Sequence, residues 1–400
     1  MLPGSLQALC LMSFFLADVR DGLGPFLGIF LTGRHWSPDE IGFAMTCGGI
    51  AGLLSTLPAG VIADATRHKR TVVLGGCAII TGATLLLWYS SQSWMVIVSQ
   101  IVVGIAAAFI GPTVSGITLG LTGQKAFNRQ MGHNEAYSHA GNTLAAVCAG
   151  FAAWYWGTGA VFILMTIMAI CAGIATLAIR SQDIDYDVAR GLEAQHRQER
   201  PMSLWALARK PDLLIAGLTL LLFHLANAAL LPMLSMRVAS TPAHNAINPG
   251  VYAAATVVIS QLVMVPVALY VARYVEKYGY RRLIMLALLI LPVRAAIAAE
   301  FSEPLFIIPV QILDGMAAGI LGVAVPGYIV SLLRGSGHVN AGQSVVMLMQ
   351  GAGASFSPAL AGLIAAHYSW STAFSALGFI ALLALLLWWL PGRMALVKTT

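Results

Sequence analysis

The chain has 400 residues, of which 58% are hydrophobic and only 10% charged, and its mean hydropathy is +0.81. Soluble proteins carry about 25% charged residues, so this much apolar surface must face lipid or itself; the composition excludes an array of soluble domains. A formal charge of +6, scattered along the chain, gives no ground for a nucleic-acid partner.

A bilayer core takes roughly 20 mostly apolar residues per helix. Apolar runs between polar breaks predict twelve spans, at 6–31, 40–64, 71–89, 94–122, 130–153, 159–180, 212–238, 250–273, 281–299, 304–333, 341–366 and 371–391. The first has no basic leader and contains Asp18, Arg20 and Asp21, so it reads as a retained helix and not a cleaved signal. Charges at bilayer depth cost roughly 2.5–3.5 kcal/mol each on insertion scales, which makes every one a candidate site residue. Asp18 and Asp21 share a helix face, while Arg20 points away from Asp18 and could instead neutralise an aspartate on a neighbouring helix. Gly22, Gly24 and Pro25 follow at once, a sequence able to unwind the helix and free backbone groups for a solute.

Span 5 reads Asn134-Glu135-Ala136-Tyr137-Ser138-His139-Ala140-Gly141-Asn142. Glu135, His139 and Asn142 stand at i, i+4 and i+7 and line one face. A carboxylate beside an imidazole suits a proton carrier, although Glu135 could instead close an ion pair with Arg129. Residues 181–211 are rich in charge and predict a solvated cytoplasmic linker between an N-terminal bundle, 1–180, and a C-terminal bundle, 212–400. Span 7 offers His224 and Asn227, span 8 Gln261, span 10 Gln311 and Asp314, and span 11 Gln350. Arg294 of span 9 is expected either to pair with Asp314 or to snorkel towards Glu300 and Glu303. A lone histidine such as His224 is more commonly an interhelical donor than a ligand, but its mid-span depth keeps it a candidate.

The two halves repeat at an offset of about 211 residues. Gln100, Gly104, Ala106, Ala107 and Gly111 match Gln311, Gly315, Ala317, Ala318 and Gly322; Phe162 matches Phe374. Two six-helix halves in parallel repeat imply a pseudo-two-fold axis along the membrane normal and a solute site between the halves. Of the 22 Lys and Arg, eighteen fall on the side of the N-terminus, Arg34 and Arg237 fall on the other, and Arg20 and Arg294 lie within spans. The positive-inside rule then places both termini in the cytoplasm.

The connection between spans 2 and 3 reads Gly60-Val61-Ile62-Ala63-Asp64-Ala65-Thr66-Arg67-His68-Lys69-Arg70. It resembles the loop signature G-x-L-A-D-R-x-G-R-K of the major facilitator superfamily, with Gly60, Ala63, Asp64 and Lys69 matching and Ala65, Arg67 and His68 departing. The repeat copy is Glu276-Lys277-Tyr278-Gly279-Tyr280-Arg281. The resemblance implies an all-α integral membrane fold of twelve transmembrane helices in two pseudo-symmetric six-helix bundles. Gly60, Asp64, Lys69, Glu276, Gly279 and Arg281 would then form a cytoplasmic gating latch. A fainter resemblance, to the antiporter signature G-x8-G-x3-G-P-x2-G-G of drug and metabolite exporters, starts at Gly132 and Gly141 and runs through Ala145, Ala146, Ala149 and Gly150. It keeps the small residues and lacks the proline.

The expected activity is secondary active transport of a small polar metabolite or drug by alternating access in the cell inner membrane, proton-coupled and most readily efflux by antiport. Protons would be carried by Asp21, Glu135, His139 and Asp314. The solute would be met by Asp18, Arg20, Asn134, Asn142, His224, Asn227, Gln261, Gln311 and Gln350. Proton-coupled uptake of a polar or zwitterionic solute is the alternative; a divalent-metal carrier built on Asp18, Asp21 and His224 is opposed by Arg20. No phosphate-binding loop, H-E-x-x-H, G-x-S-x-G or C-x-x-C appears, so neither ATP-driven transport, an enzyme nor a cofactor is expected. The five cysteines read as buried thiols, with no disulfide or metal site. The resemblance also implies a monomer.

Overall fold

A computed structural model describes residues 3–20, 23–89, 92–186, 188–190, 211–241, 248–332 and 339–397. Every regular element among them is helical: α1 (Pro3–Arg20), α2 (Pro25–Thr32), α3 (Pro38–Ala65), α4 (Lys69–Tyr89), α5 (Ser93–Trp156), α6 (Ala160–Ala178), α7 (Pro211–Asn227), α8 (Leu230–Ser240), α9 (Pro249–Tyr278), α10 (Tyr280–Glu300), α11 (Ile307–Leu332), α12 (Val339–His367) and α13 (Trp370–Val397). Ten stretches among the described residues are long and apolar enough to cross a membrane. The two further spans expected from the sequence, 6–31 and 130–153, also form helices but fall outside this set. The first is broken between Arg20 and Pro25, where Gly24 takes φ 48°, and the second carries Gln130, His133, Asn134, Glu135, His139 and Asn142.

The break at Gly24 lies where the Gly-Pro cluster predicted it. A second break, inside the span expected at 212–238, separates α7 from α8; there the amide of Ala229 donates to Ser357 Oγ at 2.9 Å, supplying an acceptor to a freed backbone group. A third lies within α5, whose two limbs meet at Gly123 with φ 63° and ψ 174°. Only glycine adopts that conformation without steric cost.

The chain divides into two compact units. The first takes in Met1–His35, Cys47–Arg197 and Ala246–Ala255, and the second Trp36–Thr46, Gln198–Asn245 and Thr256–Thr400. In the first unit, Leu9, Met12 and Leu16 of α1, Val73 and Ile80 of α4, Ile110 and Ile117 of α5 and Ala172 of α6 share one core. In each unit a glycine brings two helices into backbone contact. A methyl on Gly104 would strike the Gly48 carbonyl of α3, and one on Gly315 would strike the Ser260 carbonyl of α9. These two glycines stand 211 residues apart.

Arginines donate to helix carbonyls in both units. Arg34 donates to the carbonyls of Leu87 and Trp88 at the end of α4, 3.3 and 2.9 Å away, and lies 4.4 Å over the Phe30 ring. Arg237 donates to Ala298 and Phe301 at the end of α10, 2.7 and 3.2 Å away, and lies 5.0 Å over Phe374. Arg70 reaches the carbonyls of Thr176 and Leu177 on α6 at 3.3 and 3.0 Å. Arg281, its repeat partner, reaches Trp388 of α13 at 2.8 Å, and the Trp388 indole donates back to the Arg281 carbonyl at 3.1 Å. For Arg34, Arg70 and Arg237 the carbonyls lie at C-terminal ends, where cations satisfy orphan acceptors and complement the helix dipole, whereas Trp388 lies inside α13.

The start of the expected linker is docked on the first unit. The Asp185 amide donates to the Gly120 carbonyl at 3.0 Å, Ser5 Oγ donates to Asp183 at 2.6 Å, and Ile184 and Ala189 are buried. These two apolar side chains among the acids account for the docking. Residues 191–210 lie outside the described residues.

Candidate functional site

In the second unit, four helices converge on a buried charge. Arg294 of α10 is 1% exposed, and its Nη1 lies 2.7 Å from Asp314 Oδ1 on α11. The same Nη1 donates to Asn227 Oδ1 of α7 at 2.5 Å, while Nη2 stands 3.5 Å from Gln311 Oε1. Ser260 Oγ of α9 donates to the other Asp314 oxygen at 2.7 Å. The pairing with Asp314, one of the two outcomes expected for Arg294, is the one observed.

The carboxylate sits where it does because Gln311 and Asp314 are three residues apart and turn one face of α11 to the bundle. The adjacent Gly315 lets α9 come close enough for Ser260 to reach the carboxylate. Two polar atoms here are buried without a hydrogen-bond partner, Arg294 Nε and Gln311 Nε2; Gln261 Oε1, elsewhere on α9, is a third such atom. Buried donors and acceptors of this kind are costly unless water or a ligand supplies a partner.

The internal repeat provides a comparison within the molecule. The positions 211 residues before Arg294 and Asp314 are Ala83 and Val103, both packed in or against the apolar core of the first unit. The bundle therefore forms without charge at these positions. Removing one partner of a buried ion pair costs about 3–5 kcal/mol, whereas apolar replacement of both is often neutral or stabilising, so packing alone gives no reason for the pair.

The other expected residues are distributed as follows. His224 lies one turn before Asn227 on α7, half-buried, its ring edge-on to Phe223 at 5.4 Å. Gln350 of α12 is half-buried. In the first unit Asn134 is buried, and its amide is already engaged: Nδ2 donates to Thr118 at 3.0 Å, and Gln130 donates to its Oδ1 at 3.0 Å and to Cys10 Sγ at 3.2 Å. This cluster ties α1 to both limbs of α5 across Gly123. Glu135 is exposed, Asn142 is half-buried, and His139 is half-buried with a buried Nδ1 that lacks a partner. No hydrogen bond joins Glu135 to His139 among the described residues. Asp18 is half-buried and Arg20 exposed at the end of α1, while Asp21 lies outside the described residues.

Of the gating residues, Gly60 is half-buried and Lys69 is fully buried, donating to the Ala63 carbonyl. Gly279 turns the chain between α9 and α10 with φ 81°, and Arg281 is clasped to Trp388. The side chains of Asp64 and Glu276 lie outside the described residues. Among the described residues no group of three or more His, Cys, Asp or Glu could hold a metal ion. Ser260, Thr118 and Gln130 escape a reading of charges and motifs. Their only sequence signal is position, Ser260 on the α9 face that meets the Gly315 stripe and Gln130 one turn before Asn134.

A family profile described as the Major Facilitator Superfamily matches residues 9–291 and 225–399. The chain belongs to that superfamily. An uncharacterized MFS-type transporter of Mycobacterium tuberculosis, found in two strains, is 35% identical over 382 residues, 95% of this chain and 91% of that protein. Multidrug resistance protein 2 of Bacillus subtilis is 22% identical over 360 residues, 88% of this chain and 87% of the other. Among solved structures, a mutant of the nucleoside transporter NupG superposes with a TM-score of 0.80 at 14% identity, covering 96% of this chain and 98% of the other. A bacterial homolog of the human lysosomal transporter Spinster gives 0.76 at 14% identity, covering 98% of both chains. These structures share the superfamily fold. This member of the superfamily is thus a multi-pass membrane transporter for small molecules, not an enzyme.

Proposed function

We propose that this transporter exports a small polar metabolite or drug across the cell inner membrane by proton-coupled antiport, through alternating access. The observation that carries the reading is the Arg294–Asp314 pair, present in one half of a repeat whose other half packs without it. Protonation of Asp314 would remove the counter-charge of a guanidinium that cannot reach water. Asn227, Gln311 and Ser260 would then rearrange around Arg294, so proton binding biases one conformation over another. Glu135 and His139, on the second limb of α5, and Asp21 are proposed to relay protons. Asp18, Arg20, Asn142, His224, Asn227, Gln261, Gln311 and Gln350 are proposed to meet the solute. Asn134 is proposed as a solute contact only when its bonds to Thr118 and Gln130 open.

In this reading the chain crosses the membrane twelve times, with both termini cytoplasmic and with Gly60, Asp64, Lys69, Glu276, Gly279 and Arg281 as the gating latch. It works as a monomer, with bundles at 1–180 and 212–400. Export is favoured over uptake by the likeness to a protein named for multidrug resistance and by the small-residue spacing of α5. Uptake by symport is the second reading, favoured by the unpartnered Gln261 and Gln311 atoms, which suit a hydrogen-bonding solute. The test compares metabolites inside cells and in spent medium for strains overproducing the wild type or Asp314→Asn. A compound enriched in the medium only with the wild type supports export. A compound enriched inside overturns export in favour of symport, and identical profiles for the two strains remove Asp314 from the mechanism.

A further inference from the structure

One side of α9 packs on α11, where Gly315 and Gly319 meet Ser260, Met264 and Ala268. On the opposite side Leu262 and Leu269 are exposed by 65% and 69%, and Pro266 is exposed between them. The same face continues at helical spacing into Arg273 and Lys277, both exposed. It therefore runs from bare hydrocarbon to bare positive charge within a few turns.

Three tyrosines flank the charged end. The Tyr270 and Tyr274 rings are 4.7 Å apart, the Tyr274 and Tyr278 rings 6.4 Å, and the Tyr270 and Tyr278 hydroxyls 3.4 Å. The Arg273 guanidinium lies 5.7 Å from the Tyr274 ring centre, and the Lys277 ammonium 5.7 Å from that of Tyr278. Between 270 and 282 the chain carries Arg273, Lys277, Arg281 and Arg282 against the single acid Glu276. The repeat again supplies a comparison. At the positions of Tyr270, Arg273, Tyr274 and Lys277 the first half has Ala59, Ile62, Ala63 and Thr66, so neither the rings nor the charges are needed to build the helix.

We propose that this face of α9 binds an anionic phospholipid. An acyl chain lies along Leu262, Pro266 and Leu269, the phosphate sits between Arg273 and Lys277, and the tyrosines stand at the level of the glycerol and headgroup. Tyrosine favours that depth, long basic side chains extend from an apolar stem to reach a headgroup, and basic residues just beyond a span attract anionic lipid. The excess of base over acid selects an anionic headgroup over a zwitterionic one.

The experiment is native mass spectrometry of the full chain, after equilibration with an equal mixture of phosphatidylglycerol and phosphatidylcholine. The wild type is expected to retain phosphatidylglycerol preferentially, and the preference to fall as salt is raised. The Arg273→Gln/Lys277→Gln variant, checked for monodispersity by size exclusion, should lower the ratio by about tenfold. Tyr270→Leu/Tyr274→Leu should lower retention of both lipids together. A wild type with no preference overturns the proposal without needing any variant to fold, and so does an unchanged ratio in the Gln/Gln variant. Displacement of the lipid by inorganic phosphate at equal concentration would also overturn it, by making the site one for free phosphate.

Discussion

Replacing Arg294 with Met and Asp314 with Leu, singly and together, separates what the buried pair does for folding from what it does for transport. Each single variant leaves one charge buried without its partner. With Arg294 1% exposed and held by Asn227, Gln311 and Asp314, the cost should fall in the range of about 3–5 kcal/mol. The double variant removes both charges and approaches the apolar character of Ala83 and Val103 in the first unit. Its stability should return to within about 1 kcal/mol of the wild type, or exceed it. The coupling energy from the double-mutant cycle should then be several kcal/mol and opposite in sign to the single losses. Denaturant unfolding of the purified protein in detergent measures stability, and solute flux in proteoliposomes under an imposed proton gradient measures transport. The expected result is a stable double variant that does not couple flux to protons. Simple addition of the single losses would refute the pairing argument, and a stable double variant with normal coupled flux would refute its role in transport.

Glu135→Gln should flatten the pH dependence of transport while leaving folding intact, because Glu135 is exposed; a flux-against-pH profile identical to wild type would exclude it as a proton carrier. Arg237→Ala should cost about 2–4 kcal/mol in thermal unfolding, since it removes two charge-assisted bonds from a buried side chain. Arg34→Ala, at a more exposed site, should cost about 1 kcal/mol. Gly123→Ala should destabilise by roughly 1–3 kcal/mol, the cost of a side chain at φ 63° and ψ 174°, a region open essentially only to glycine; equal stability by the same assay would argue against the break in α5.

Ten of the expected spans and the interruption at Gly24 could be read from the chain, because they depend on local hydropathy and on Gly-Pro chemistry, and the repeat because it depends on residues matched at one offset. Arg70 and Arg281 obey that offset as well, and so do Leu177 and Trp388, whose carbonyls they reach. The clamps of Arg34 and Arg237 were not readable, since a lone arginine near the end of an apolar run says nothing of which helix end will lie beside it. For the same reason Arg294 could be given two fates on sequence grounds, and only the placement of α10 against α11 decides for Asp314. Asn134 shows the converse: as a polar residue in a span it reads as a solute contact, yet Thr118 and Gln130 already occupy its amide. The docking of residues 181–186 and 188–190 was hidden because two buried apolar side chains among several acids make no visible period.

The arginine clamps have a consequence for how such a sequence can drift. Arg34, Arg70 and Arg237 reach carbonyl oxygens, which every residue type carries, so the capped positions hold Leu, Trp, Ala, Phe and Thr without any common side chain. The constraint falls on one side of the contact alone. Relatives can exchange these helix-end residues freely, provided that Arg34, Arg70 and Arg237 stay in place; Trp388 is different, because its indole returns a bond to the Arg281 carbonyl.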